Sequence, residues 1–278
     1  MSKKIIITGA NGQLGRAVGR ILAEDYALIN TDVAELDITN VGAVLSLVRE
    51  TAPFAIINCA AHTAVDLCET DADNAYRINA IGPRNLAIAA AETGAKLVHI
   101  STDYVFDGQA KRPYTEFDQA APAGVYGASK LAGEAFVKEF SRRFFIIRTA
   151  WLYGEGKNFV NTMLRLAETN ASVRVVADQF GTPTSTTELA RAIAALLPGD
   201  DYGLYHGTCE GECSWADFAE EIIKRHGLKT RVERISTDEY PTAAKRPAYS
   251  VLRNYMFELT GGYRFAAWED ALGEYTDP

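Results

Sequence analysis

The chain has 278 residues, of which 47% are hydrophobic, and a net charge of −8. That length can bury a large core as one domain or as a domain with a smaller lobe, and scattered basic residues under a negative net charge exclude a nucleic-acid surface. No apolar run reaches the roughly 20 residues needed to span a bilayer, and no signal-peptide pattern precedes the first strand, so a cytoplasmic protein without membrane partners is expected. Cys59, Cys68, Cys209 and Cys213 have neither disulfide-scaffold nor zinc spacing and are read as free thiols.

The first stretch, Lys3 to Arg16, predicts strand, turn and helix. Ile5, Ile6 and Ile7 are β-branched without polar alternation, which suits a parallel strand buried on both faces. Gly9 suits the tight turn, Gly12 lets backbone approach a pyrophosphate, and Gly15 lets the helix pack closely. The helix N-terminus then offers free N–H groups to phosphate. A second strand, Tyr26 to Thr31, ends at Asp32, at about the distance expected of a ribose-binding acid. Such an acid accepts from a 2′-hydroxyl and repels a 2′-phosphate, so NADH is preferred over NADPH, a preference tempered by Arg16. Asp37 and Ile38 either flank an adenine or belong to a helix start capped by Thr39 or Asn40, ahead of Val44, Leu45, Leu47 and Val48.

Phe54 to Thr63 reads as a buried strand ending in small residues that admit a nicotinamide, with His62 expected to line the site. Asp66 to Asn79 begins a polar helical stretch, and Ile81 to Glu92 is strongly helical. The strand Lys96 to Ile100 delivers Ser101, Thr102 and Asp103 to the sheet's C-terminal edge. Val125 to Phe136 predicts a helix with Leu131, Ala135 and Phe136 in the core. Tyr126 and Lys130, four residues apart, share a face of it. A tyrosine with a pKa of about 10 is a poor acid at neutral pH, and a nearby ammonium favours its phenolate. A hydroxyl from Thr102 or Ser101 would complete a proton-donating group.

Arg143 to Thr149 is another strand, after which Trp151 either walls a substrate pocket or plugs the core. Lys157 to Thr169 reads as a helix and Val173 to Ala177 as a strand. The polar turn Asp178 to Ser185 is either a helix cap or a nucleotide contact, ahead of a helix from Thr187 to Leu197. Beyond it come a strand at Gly203 to Gly207, a helix ending at His226, a strand at Val232 to Ile235, and two terminal helices. Arg246 is a candidate for a substrate phosphate. Residues 1–150 are read as an NAD(P)-binding Rossmann domain, and 151–278 as a smaller, interleaved substrate lobe that partly returns to the first sheet, giving an α/β, doubly wound parallel architecture.

On Gly9-x-x-Gly12-Gln13-Leu14-Gly15, Asn58 to Asp66, Ser101 to Phe106, Tyr126-Gly127-x-x-Lys130, Arg148-Thr149-x-Trp151-x-Tyr153, Asp178-Gln179-x-Gly181-x-Pro183-Thr184 and Lys245-Arg246-Pro247, the chain resembles the extended short-chain dehydrogenase/reductases. Within them it is most similar to the dTDP-4-dehydrorhamnose reductases, over nearly its whole length. The resemblance implies reduction of the 4-keto group of a dTDP-sugar by NADH or NADPH. It places cofactor against Gly12, Gln13, Leu14, Asp37, Ile38, Ala61, His62 and Thr63. It makes Tyr126 the proton donor, Lys130 its partner and Thr102 its tuning hydroxyl, and sets Asp103 and Trp151 against the sugar. Some members form magnesium-linked homodimers through C-terminal acids; the motifs here do not map that site, so metal and dimer stay open. The alternatives are a nucleotide-sugar epimerase or dehydratase of the same superfamily, and a non-catalytic regulatory subunit of methionine adenosyltransferase.

Overall fold

Consecutive side chains on a strand point to opposite faces, yet Ile5, Ile6 and Ile7 are all fully buried. Strand β1 (Lys4–Thr8) is therefore covered on both sides. In the computed structural model, which describes residues 2–276, it is an inner strand of a six-stranded parallel sheet. The outermost positions of the two expected domains, 1 and 277–278, lie outside the described residues.

In chain order β1 is followed by α1 (Gln13–Leu22), β2 (Ala27–Thr31), α2 (Val41–Thr51) and β3 (Ala55–Asn58). Then come α3 (Val65–Thr70), α4 (Ala72–Tyr76), a π-turn (Arg77–Ile81), α5 (Gly82–Thr93), β4 (Lys96–Thr102), α6 (Val125–Phe140) and β5 (Phe144–Thr149). The second half holds β6 (Leu152–Tyr153), α7 (Phe159–Thr169), β7 (Ser172–Val176), β8 (Phe180–Gly181), β9 (Thr184–Ser185) and α8 (Thr186–Leu196). It closes with β10 (Gly203–His206), β11 (Cys213–Ser214), α9 (Trp215–Arg225), β12 (Arg231–Ile235), α10 (Tyr255–Thr260) and α11 (Trp268–Thr276).

The sheet runs β2-β1-β3-β4-β5-β10, so the order reverses between β1 and β3, where a doubly wound sheet opens its ligand crevice. On one face Ile5, Ile7, Ile57 and Val98 pack against α1 and α8 through Val18, Leu22, Leu189 and Ile193. On the other, Ile6, Ile56, Leu97 and Ile146 meet Val44 and Val48 of α2, Leu86 and Ala90 of α5, and Val137 of α6. A separate core joins α7, α9 and α11 to the parallel pair β7–β12, centred on Val160, Phe218, Ile222 and Leu272. The second half also returns to the main sheet, because β10 extends it alongside β5 and α8 covers it.

The core face of α6 differs from its apolar pattern. Ala135 is exposed, and Leu131 and Phe136 are only half-buried, whereas Ser129, Lys130, Gly133, Glu134 and Val137 face inward. The polar members are tolerated because each finds a partner. Glu134 accepts from Arg148 Nε and Nη2, both at 2.8 Å, and from Ser101 Oγ at 2.7 Å. Gly133 is required by closeness, since a side chain there would run into the Asn79 carbonyl.

Candidate active site

The glycine loop has the shape of a phosphate cradle. Gly9 turns the chain in the left-handed region at φ +65, and Gly12 donates its N–H to the Gly9 carbonyl at 3.0 Å and caps α1 with backbone alone. A Cβ on Gly15 would collide with that same carbonyl and lie 2.6 Å from Ala10 Cα. Gly15→Ala therefore has to shift the loop itself, and is expected to weaken NADPH binding about tenfold or more. Fluorescence titration checks this, and an unchanged affinity contradicts the assignment.

Two cavities of about 510 Å³ and 500 Å³ meet at this loop, sharing Gly12, Cys59 and Ala61. The second holds Gly9, Asp32, Asp37 and Ile38; the first holds Gln13, Leu14, Gly15, Thr63, Thr102, Asp103, Tyr126, Lys130 and Trp151. Two chambers joined over a helix N-terminus suit the two halves of a dinucleotide. Asp32 accepts from Asn11 N at 3.1 Å and Val33 N at 2.8 Å, which ties it to the loop. Asp37 accepts from Thr39 N at 2.9 Å while Asn40 caps α2, so the capping role falls to Asn40 and Asp37 stays at the cavity. Gln13 donates to the Lys157 carbonyl at 3.2 Å, and its buried Oε1 has no partner.

The catalytic candidates converge where β4 and β5 end and α6 begins. Thr102 and Asp103 stand at the C-terminal end of β4, and Thr102 Oγ1 donates to Asp103 Oδ1 at 2.9 Å. Lys130 is 2% exposed and donates to the Ile100 carbonyl at 2.6 Å. Burial pulls its ammonium down to about 8, against the opposing influence of Glu134 and Cys59. The Tyr126 ring meets the edge of Tyr104, centroids 5.4 Å apart. Burial pushes its phenol above the ordinary tyrosine range, while the adjacent Thr102 hydroxyl draws it back. The expected lowering by Lys130 is not what governs the phenol here, because burial is the largest influence on it. The consequence is a phenol that keeps its proton at neutral pH, as a donor must.

Asp103 is 2% exposed, and burial raises its carboxyl to about 6 from 3.8. Its Oδ2 has no hydrogen-bond partner, the Ser250 hydroxyl approaching without completing a bond. A raised folded-state pKa means stability present below the unfolded value of about 3.9 and lost as pH rises through the folded one. Asp103→Asn should therefore gain on the parent by roughly 3 kcal/mol between pH 3.5 and pH 7. Urea denaturation at the two pH values checks it; a pH-independent difference contradicts it.

Two sequence candidates lie elsewhere. His62 lines neither cavity, because the Asn79 side chain grips its backbone, accepting from the N–H at 2.8 Å and donating to the carbonyl at 3.1 Å. Arg246 is paired with Asp66, Nη2 to Oδ2 at 2.7 Å, and lines a small adjoining cavity that shares Tyr104 with the first chamber rather than the chamber itself. The polar turn from Asp178 also stays off the cavities: Asp178 accepts from Thr237, and Ser185 caps α8. No cluster of three or more metal-ligating side chains exists among the described residues, and Arg191 pairs with both Glu188 and Glu274. Sequence reading gave no role to Tyr104, Asn79 or the Glu134–Arg148 pair. Tyr104 stood inside the Ser101 to Phe106 segment and Arg148 inside the Arg148 to Tyr153 one, but their pairings leave no local signal.

The family described as RmlD substrate binding domain matches residues 3–278. The chain is similar to the spore coat polysaccharide biosynthesis protein SpsK of Bacillus subtilis, with 42% identity over 98% of this chain and 96% of that protein. Among solved structures it is similar to a dTDP-4-dehydrorhamnose reductase from Clostridium acetobutylicum, at 55% identity and a TM-score of 0.97, covering 99% of this chain and 98% of that one. It is also similar to the dTDP-4-dehydrorhamnose reductase of Bacillus anthracis in complex with NADP, at 46% identity and a TM-score of 0.98, covering 99% of both chains.

Proposed function

The chain belongs to the RmlD substrate-binding family, and from that premise we propose that it reduces the 4-keto group of dTDP-4-dehydro-β-L-rhamnose to dTDP-L-rhamnose with NADH or NADPH. The observation that carries this reading is the convergence of Tyr126, Lys130, Thr102, Asp103 and Trp151 on one chamber continuous with the glycine-loop cavity.

When bound, the nicotinamide supplies the hydride. Tyr126 gives its phenolic proton to the oxygen that becomes alkoxide, and Thr102 holds the same oxygen. Lys130, kept cationic up to about pH 8, offsets the negative charge left on the phenolate. The unpartnered Oδ2 of Asp103 accepts from a sugar hydroxyl, and Trp151 forms the wall opposite. Asp32 favours NADH through its charge, but Arg77 in the same cavity provides a cation for a 2′-phosphate, so both cofactors are accommodated.

Residues 1–150 serve as the dinucleotide half and 151–278 as the sugar-nucleotide lobe. Every group named comes from this chain, and a homodimer is expected from the family. The cysteines are free thiols, the state a reducing cytoplasm maintains, and no helix among the described residues is long and apolar enough to cross a membrane.

The test is oxidation of NADH and NADPH with the keto-sugar generated in situ from dTDP-glucose. Stoichiometric consumption supports the reductase. Conversion without net consumption supports an epimerase or dehydratase, and no turnover supports a regulatory subunit.

A further inference from the structure

Trp151 is a cleft-lining residue with a strained backbone. Its φ of +47 lies in the left-handed region, which a bulky residue adopts only where its surroundings over-determine it. Its indole lies flat on that of Trp215, centroids 3.5 Å apart and planes within 8°. Gly181 presses on the same ring, so closely that a Cβ there would sit 2.6 Å from Nε1 and 2.7 Å from Cζ2. Thr184 N donates to the Trp151 carbonyl at 3.2 Å.

Trp215 lines neither cavity. It opens α9, is packed by Phe159 at 4.6 Å, and is held by the capping box in which Ser214 and Asp217 bond each other's backbone. The stacked pair thus ties the cleft wall to the core of the second lobe, alongside Leu152, Glu155 and Lys157, which line the same cavity directly, and the Gly181-x-Pro183-Thr184 stretch has a structural task in holding that wall. We propose that Trp215, with the bare Gly181 beside it, is a positioning residue that holds Trp151 as the wall of the sugar-nucleotide chamber. The pair sets affinity for the sugar nucleotide and leaves affinity for the dinucleotide alone. This rests on the functional reading above.

The test uses the full chain with Trp215→Leu, Trp215→Phe and Gly181→Ala, measuring the keto-sugar KM, the NADPH Kd and the far-ultraviolet circular-dichroism couplet of stacked indoles. Trp215→Leu should lose the couplet and raise the keto-sugar KM about tenfold or more, as expected when a positioning group shifts, with a parental NADPH Kd. Trp215→Phe should also lose the couplet but recover most of the sugar affinity, because it keeps a flat platform. Gly181→Ala should raise the sugar KM by pushing the indole from its seat. A parental sugar KM in Trp215→Leu, or a parallel loss of NADPH affinity, overturns the proposal. Should Trp215→Leu fail to fold, Gly181→Ala decides alone by the same two constants. An inactive parent chain would instead sink the functional reading.

Discussion

Tyr126→Phe is expected to keep the fold and the NADPH affinity of the parent while losing about two or more orders of magnitude in turnover. The ring itself packs edge-on to Tyr104, and phenylalanine preserves that contact. What disappears is the phenolic hydroxyl beside Thr102 at the end of β4, which burial keeps protonated at neutral pH. Because burial holds the phenol above the usual tyrosine range, the parent should show no fall in rate from Tyr126 deprotonation until well above neutral pH. Single-turnover kinetics with the keto-sugar provide the check. Parental turnover in the phenylalanine variant would remove Tyr126 from the proton-transfer role.

The second large effect is on stability. Arg148 and Glu134 are 3% and 0% exposed and joined by two hydrogen bonds of 2.8 Å. Taking away the guanidinium strands a carboxylate with only Ser101 and the more distant Lys138, 3.7 Å away. Breaking a buried pair from one side costs about 3–5 kcal/mol, whereas replacing both partners with apolar groups of similar volume is often neutral. Arg148→Met should thus lose about that much in urea denaturation, and Glu134→Met with Arg148→Met should recover most of it. If the double variant is no better than the single, the loss comes from packing rather than an orphaned charge. The pair also matters to the site, because Glu134 lies next in charge influence to Lys130.

Local chemistry made much of this molecule readable before its structure. The isoleucine run at Ile5 to Ile7 has to be an inner parallel strand, and three spaced glycines after it have to open a helix on a tight loop. Tyr126 and Lys130 share a face because helix geometry puts residues four apart together. The misreadings all involve partners distant in sequence. Ala135 ranked as core on hydrophobicity alone, but the inward face of α6 goes to Glu134, whose partner Arg148 sits on the next strand. His62 is directed by Asn79 in a π-turn, and Arg246 by an acid 180 positions away. Periodicity carries no information about such pairings. Trp151 likewise combines a left-handed backbone with contacts to Trp215 and Gly181 that only the folded chain brings to it.

The most direct measurement follows the hydrogen itself. The keto-sugar is converted with NADPH carrying deuterium at both C4 positions, and the sugar product is read by NMR. The predicted result is one deuterium at sugar C4, one oxidised cofactor per product, and a Tyr126→Phe variant that delivers the same label far more slowly. Solvent-derived hydrogen at that carbon, with the cofactor returned unchanged, would contradict a reductase built around this phenol.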